Sequence, residues 1–295
     1  MTTSQLNFRK FRDFGDLLGD TFNFIKFEYK SFLRILMIYA GPFILFTAIA
    51  SAWFQSGIFS MMSMMVDNDP AEILSEFGLK LIVYMLAAVV SNTMLICVVY
   101  SYIQLYIERG KDGFVQEDVW YLVGKKFFQV LGAMVLMGLI IGVGVMLCII
   151  PGIYFAVSFC LVLAVLFFEN QSVGNALGRS MSIIRNDFWI GLGLGVVINI
   201  LVGVISYVFV LPSVVFSMVV SINTLKGNSS DGVNIVYMIL VAFGTFGASF
   251  LSAIPHITFS LFYHSQIEKT ESPGLINKIE SINKPESDVE NKSRF

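Results

Sequence analysis

Residues 127–168 read FFQVLGAMVLMGLIIGVGVMLCIIPGIYFAVSFCLVLAVLFF, 42 positions without one charged side chain. About 20 apolar helical residues cross a bilayer core, so the stretch is two crossings long. Its one proline, Pro151, is followed by Gly152. Proline stops a helix and glycine permits a tight turn, which predicts a hairpin of helices 127–149 and 153–168. The second arm is short, so it is expected to extend past Glu169 or to lie in a locally thinned bilayer.

The same pattern extends in both directions. Further uncharged runs cover 35–66, 81–107, 188–225 and 232–267. They predict spans at 33–54, 79–106, 188–211 and 234–264, the last bent near Pro255. The piece 213–222 behind Pro212 reads as a kinked extension or interfacial segment. The expected fold is all-α: a polytopic membrane protein with six transmembrane helices in three hairpins. Residues 1–31 read as a cytoplasmic amphipathic segment, 32–264 as the six-helix domain, and 265–295, rich in Ser, Asn, Lys and Glu, as a disordered cytoplasmic tail. Only 14% of the chain is charged and mean hydropathy is +0.76, against about 25% charged in soluble domains.

Cations fix the expected orientation. With the N-terminus inside, seventeen lysines and arginines fall on the cytoplasmic side and only Lys80 and Lys226 outside. Both termini are therefore expected in the cytoplasm, in a plasma (inner) membrane of bacterial type. The charged segment ahead of the first apolar run lacks signal-peptide features. Cys97, Cys148 and Cys160 lie inside apolar runs and read as small packing residues.

GDLLGDTFNFIK (15–26) and GNALGRSMSIIR (174–185) match without a gap at a shift of 159 positions. Gly15/Gly174, Leu18/Leu177, Gly19/Gly178 and Ile25/Ile184 are identical, and each stretch leads into a span. Their apolar residues recur at helical spacing beside cations, which suits helices lying in the membrane interface. Residues 118–128 precede the third span in a similar place with a weaker match. The chain thus divides into three units, each an interfacial amphipathic helix followed by a hairpin. Duplication is favoured over convergent composition, and the paired glycines are expected to let these helices approach neighbouring backbone.

Pro151, Gly152, Tyr154, Glu169, Ala176, Leu177, Arg179, Ser180, Phe188 and Trp189 form the pattern Pro-Gly-x-Tyr, Glu, Ala-Leu-x-Arg-Ser and an aromatic pair. This pattern, with the opening FGDLLGDTFNFIKFEYKSFL, resembles the membrane domain of bacterial glycerophosphoryl diester phosphodiesterases and related stand-alone six-helix membrane proteins. It covers about a quarter of the chain. The resemblance implies the six-helix fold but brings no catalysis, because the phosphodiesterase activity belongs to a separate soluble domain for which the chain has no room.

The residues themselves carry no enzyme signature. His256 and His264 are the only histidines, no H-E-x-x-H, G-x-S-x-G or Walker loop is present, and no carboxylate pair sits inside a span. No catalytic residue, metal or other cofactor is expected. His256 reads as a neutral histidine bonded to a neighbouring helix, or as a proton-sensitive or substrate-facing group beside Pro255. Asn92 and Asn199 read as hydrogen-bonding glue between helices. Glu169 and Arg179 read as a structural clamp, with lipid-phosphate recognition as the alternative; Arg185, Pro151, Gly152 and Tyr154 complete the candidate interface. The methionines of SMMSMMVDNDP (60–70) suit one apolar helical face more than Cu(I) binding. GLIIG (138–142) and GLGLG (191–195) supply small-residue spacing for close packing.

The expected function is a non-enzymatic membrane-organising module that binds lipid or a partner; the alternative is a transporter or permease component for a small molecule or lipid. Expected partners are the bilayer, anionic lipid head groups, and a membrane-protein partner or second copy; no nucleic acid is expected. A polar cavity reaching mid-membrane, lined by Asn92, Asn199 or His256, would favour transport, and a closed apolar bundle the module.

Overall fold

The structure, a computed structural model, describes residues 8–64, 70–111, 113–225 and 231–271, all helix and connection with no strand among them. In chain order the helices are α1 (Phe14–Tyr39), α2 (Gly41–Met64), α3 (Pro70–Arg109), α4 (Gln116–Leu147), α5 (Ile149–Ser158), α6 (Val162–Phe168), α7 (Val173–Ile184), α8 (Phe188–Leu225), α9 (Asp231–Leu251) and α10 (Ala253–Glu271). Among the described residues five stretches are long and apolar enough to cross a membrane: Phe77–Arg109, Gln116–Leu147, Ile149–Phe168, Phe188–Val219 and Ile235–Glu271. The bent pair α1–α2 makes a sixth if counted as one span.

Three predicted boundaries move, and proline explains each. A proline lacks the N–H that would bond the carbonyl four residues earlier, yet it is tolerated in a helix's first turn, where N–H groups have no partner anyway. Breaks therefore fall before the prolines. α1 carries its buried row through Phe32, Ile35 and Leu36 and ends at Tyr39, ahead of Pro42, with a 60° bend into α2. The expected start of a span at 33 thus lies inside α1. α4 ends at Leu147, four residues before Pro151, and the reversal is made by Cys148 in an extended conformation (φ −168°, ψ 146°). Cys148 is exposed, so it forms the turn and is not a packing residue. α9 ends at Leu251, four before Pro255, with Ser252 at the break. Pro212 is carried inside α8.

Two further expectations are corrected. Residues 118–128 are not a separate interfacial helix: α4 starts at Gln116 and runs straight through them, with the Asp118 carboxylate accepting the Val115 N–H (3.1 Å). The predicted tail from 265 is helical up to Glu271; its remainder, and the side chains of the methionine-rich segment 58–70, lie outside the described residues. A break the sequence did not signal separates α5 from α6 at residues 159–161.

Gly152 has a packing role. α4 and α5 lie so close that a methyl group at Gly152 would stand 2.3 Å from Val145 Cγ2 and 3.0 Å from its backbone nitrogen. The echoed glycines behave differently. A methyl at Gly15, Gly19, Gly174 or Gly178 would meet nothing within 4 Å, nor would one at Gly138 or Gly142, so none of these serves close packing. What the two echoed helices share is a buried face: Leu17 and Thr21 on α1 stand at the same register as Ala176 and Ser180 on α7, all at or near full burial. Thr21 reaches Thr258 Oγ1 (3.1 Å), and Ser180 donates to the Ser158 carbonyl (2.7 Å).

The core is centred on α6, whose residues 162–167 are all buried, against α3, α4, α7 and α10. Lys126 is buried with it and donates to the Leu166 carbonyl (2.8 Å), one of the last carbonyls of α6 that lack a helical partner. Asn170 then turns the chain toward α7 at φ 52°, a left-handed conformation that asparagine tolerates better than other non-glycine residues.

Candidate functional site

Two polar regions occupy this frame. The first is a charged end built from the start of α1, the 110–115 connection, α7 and the end of α10. Here Glu169, the C-cap of α6, meets Arg179 on α7: Nε donates to Oε1 at 3.1 Å and to Oε2 at 3.3 Å. Tyr263 donates its hydroxyl to Glu169 Oε1 (2.8 Å), and Arg179 also donates to Glu271. Glu271 foremost, with Glu169 beside it, holds the Arg179 guanidinium above its ordinary pKa against the opposing effect of burial. The arginine is thereby occupied by two carboxylates.

Similar pairs surround it. Arg12 bonds Asp20 (2.8 Å), Lys111 pairs with buried Glu28 (2.9 Å), Arg109 with Asp118 (3.0 Å) and Lys269 with Asp187 (2.8 Å). In the register of the echo, Asp20 stands where Arg179 does and Glu28 where Asp187 does. The first pair of positions has opposite charge, with a complementary partner upstream in each copy: Arg12 for Asp20 and Glu169 for Arg179. The sequence placed Glu169 and Arg179 within reach of each other, and the structure brings them together. It leaves Arg185 exposed at the end of α7 without an ion pair among the described residues. Pro151 and Gly152 sit in the first turns of α5, and half-exposed Tyr154 stacks on Phe188 (centroids 5.5 Å).

The second region lies among the apolar helices. A cavity of about 460 Å³ opens between α2, α3, α8 and α9, lined by Thr47, Tyr84, Ser91, Asn92, Thr245, Ser249 and Ser252 with five apolar residues. Asn92 lies near the middle of the apolar stretch Phe77–Arg109, and Ser252 near the middle of Ile235–Glu271. Some of these groups are already bonded: Thr47 donates to the Ala87 carbonyl (2.9 Å), Ser249 to Thr245 and Ser252 to Ser249. Asn92 is exposed to the cavity, and neither its amide nor the Ser91 and Tyr84 hydroxyls have a hydrogen-bond partner among the described residues. Asn92 is therefore not glue between helices. Nor is Asn199, whose amide donates to Gly195 of its own helix α8 (2.7 Å).

The helix break adds polarity here, since Pro255 provides no N–H for the carbonyl of Leu251 beside Ser252. A broken helix whose backbone groups face a cavity is one way a membrane protein makes a polar site at depth. Among the described residues no Asp, Glu, Lys, Arg or His lines the cavity. His256 sits one turn beyond Ser252, half-buried, edge-on to Tyr100 (centroids 6.1 Å). A second hollow of about 540 Å³ between α2 and α3 is walled by Pro42, Phe43, Phe46, Val83, Leu86, Ala87 and Val90, an apolar groove of the kind a lipid tail fills.

The sequence missed the hydroxyl residues of the cavity. Their signal was the spacing Thr245, Ala248, Ser249, Ser252, a face of small side chains about two helical turns long beside a proline.

No family model, curated protein or solved structure matches this chain.

Proposed function

We propose that this protein is a polytopic plasma-membrane protein that admits a small uncharged polar solute into the cavity at Asn92, as a transporter or permease component. The observation that carries the reading is Asn92 itself. An exposed amide with unspent donors and acceptor, near the middle of a membrane-spanning stretch, has a partner only if something polar enters. The cavity volume falls within the usual range of about 300–1,000 Å³ for small-molecule sites. Its hydroxyl and amide lining, free of charged side chains, favours neutral hydrogen-bonding solutes over ions. No group is arranged there for acid–base or nucleophilic chemistry, so the reading is non-enzymatic.

A second reading, the lipid- or partner-binding module, is favoured by a different surface. Lys26, Lys30 and Arg34 follow one another at four-residue intervals on the exposed side of α1, next to exposed Phe22, Phe27 and Leu33. A row of cations flanked by apolar residues suits anionic lipid head groups on the cytoplasmic leaflet. In this arrangement the charged end faces the cytoplasm.

Thermal melting of the purified protein in a neutral-lipid nanodisc separates the two. A ligand that binds only the folded state raises the melting point with its concentration. Neutral polyols and amides are expected to raise it in the wild type and not in Asn92→Leu. A rise with anionic lipid and with none of the neutral solutes would favour the module instead.

A further inference from the structure

Below the cavity two helices carry polar side chains in matching rows. On α3, Asn92, Tyr100 and Gln104 stand at multiples of four residues; at the α9–α10 break and along α10, Ser252, His256, Ser260 and His264 do the same. Side chains four residues apart are neighbours on a helix surface, so each row forms a stripe that winds slowly around its helix. The two helices pack together, with Tyr100 against His256. Asn92 and Ser252 both line the cavity, so both rows begin there. Both end at the charged end, where Gln104 donates to Glu108 (2.8 Å) and the residue after His264, Ser265, exchanges hydrogen bonds with the backbone of Arg12.

These rows hold most of the unpaired polar atoms of the interior. The Tyr100 hydroxyl, Gln104 Oε1, the Ser260 hydroxyl and His264 Nε2 are buried with no partner, and the Ser101 hydroxyl is the one other such atom among the described residues. His256 adds a half-buried ring whose nitrogens bond no described residue. Buried polar groups in folded proteins are bonded to protein or to ordered water, and a buried water needs two to four such partners. Scattered orphans would each call for a separate explanation. Orphans gathered on successive turns of two helices that pack together call for one.

We propose that the seam between α3 and α10 holds a file of water molecules joining the Asn92 cavity to the charged end of the bundle. The water file extends the cavity reading and takes the cavity as its mouth, but it stands on the gathered orphan atoms and not on solute binding. Tyr100 and Ser260 supply hydroxyls, Gln104 a carbonyl oxygen and the two histidines ring nitrogens, so each water finds both donors and acceptors along the track.

Radiolytic hydroxyl-radical labelling in H₂¹⁸O, read by mass spectrometry on the full chain in nanodiscs, tests this, because buried side chains are labelled where water lies against them. Phe24 and Phe167 serve as controls, being fully buried apolar rings. After correction for intrinsic reactivity, Tyr100, His256 and His264 are expected to label several-fold faster than these controls, with ¹⁸O incorporated. Rates equal to those of the controls would overturn the proposal. Ser260→Val keeps the side-chain size close; a variant that melts like the wild type is expected to label less at Tyr100 and His264, and unchanged labelling at both would also count against the file. The melting experiment with neutral solutes reports separately on the cavity: a labelled seam without solute binding removes the cavity reading and leaves the file.

Discussion

Glu169 and Asn92 are both polar side chains held among apolar helices, yet their surroundings differ in kind. Glu169 accepts from Arg179 and Tyr263, and Arg179 continues to Glu271. Asn92 faces a cavity and bonds nothing in the described protein. The contrast extends to whole regions, since the charged end is built mainly of closed pairs while the cavity and the α3–α10 seam hold most of the open groups. A polar group satisfied within the fold contributes to holding it, and removing one partner strands the other. A polar group left open contributes little to the fold and is available to a ligand. Substitutions at the charged end should therefore cost stability, and substitutions at the cavity should cost function.

The largest loss is expected from Lys111→Met. It leaves the Glu28 carboxylate, 3% exposed, with the Tyr102 hydroxyl (3.1 Å) as its one remaining partner among the described residues. Breaking a buried pair this way costs about 3–5 kcal/mol, and the low end applies because Lys111 is itself partly exposed. Denaturant unfolding in micelles checks it, and an unchanged midpoint would remove Glu28–Lys111 from the clamps. Gly152→Ala comes next: overpacking against Val145 should cost about 1–3 kcal/mol. Its counterpart Gly178→Ala, with open space around it, should stabilise by about 0.5–1 kcal/mol by relieving a helical glycine. Melting the two side by side distinguishes packing glycines from echoed ones.

Glu169→Gln should lower stability by about 1 kcal/mol, because the pair is partly exposed and Arg179 keeps Glu271. An unchanged melting point would assign Arg179 a role other than clamping. The smallest effect is expected from Asn92→Leu: stability within about 0.5 kcal/mol of wild type, as for a side chain with no partner to lose. A large destabilisation there would mean that Asn92 is structural and would erase the contrast.

The charged end was more legible in the sequence than the cavity, for a physical reason. Glu169 and Arg179 are ten positions apart on either side of one turn, so local geometry forces them together. Tyr263 and Glu271, which complete the cluster, lie more than ninety positions away and join it only through tertiary packing. Five or six membrane-length stretches followed from the length of the uncharged runs, but the breaks at Leu147 and Leu251 lie upstream of Pro151 and Pro255, and the break at Tyr39 ahead of Pro42 was not anticipated. The missing N–H frees a carbonyl upstream, and the proline falls in the first turn of the next helix. The cavity stayed hidden because Thr47, Ser91, Asn92 and Thr245 come from three helices, and each alone resembles ordinary membrane-helix glue.

The central claim, that open polar groups at Asn92 admit a neutral solute, is tested most directly by flux. Proteoliposomes are exposed to an osmotic gradient of a neutral polyol, and volume recovery is followed by stopped-flow light scattering. Wild-type vesicles are expected to recover faster than protein-free ones, and vesicles with equally folded Asn92→Leu to match the protein-free rate. Recovery in wild-type vesicles no faster than in empty ones across a panel of neutral solutes, or an Asn92→Leu rate equal to wild type, would contradict the account.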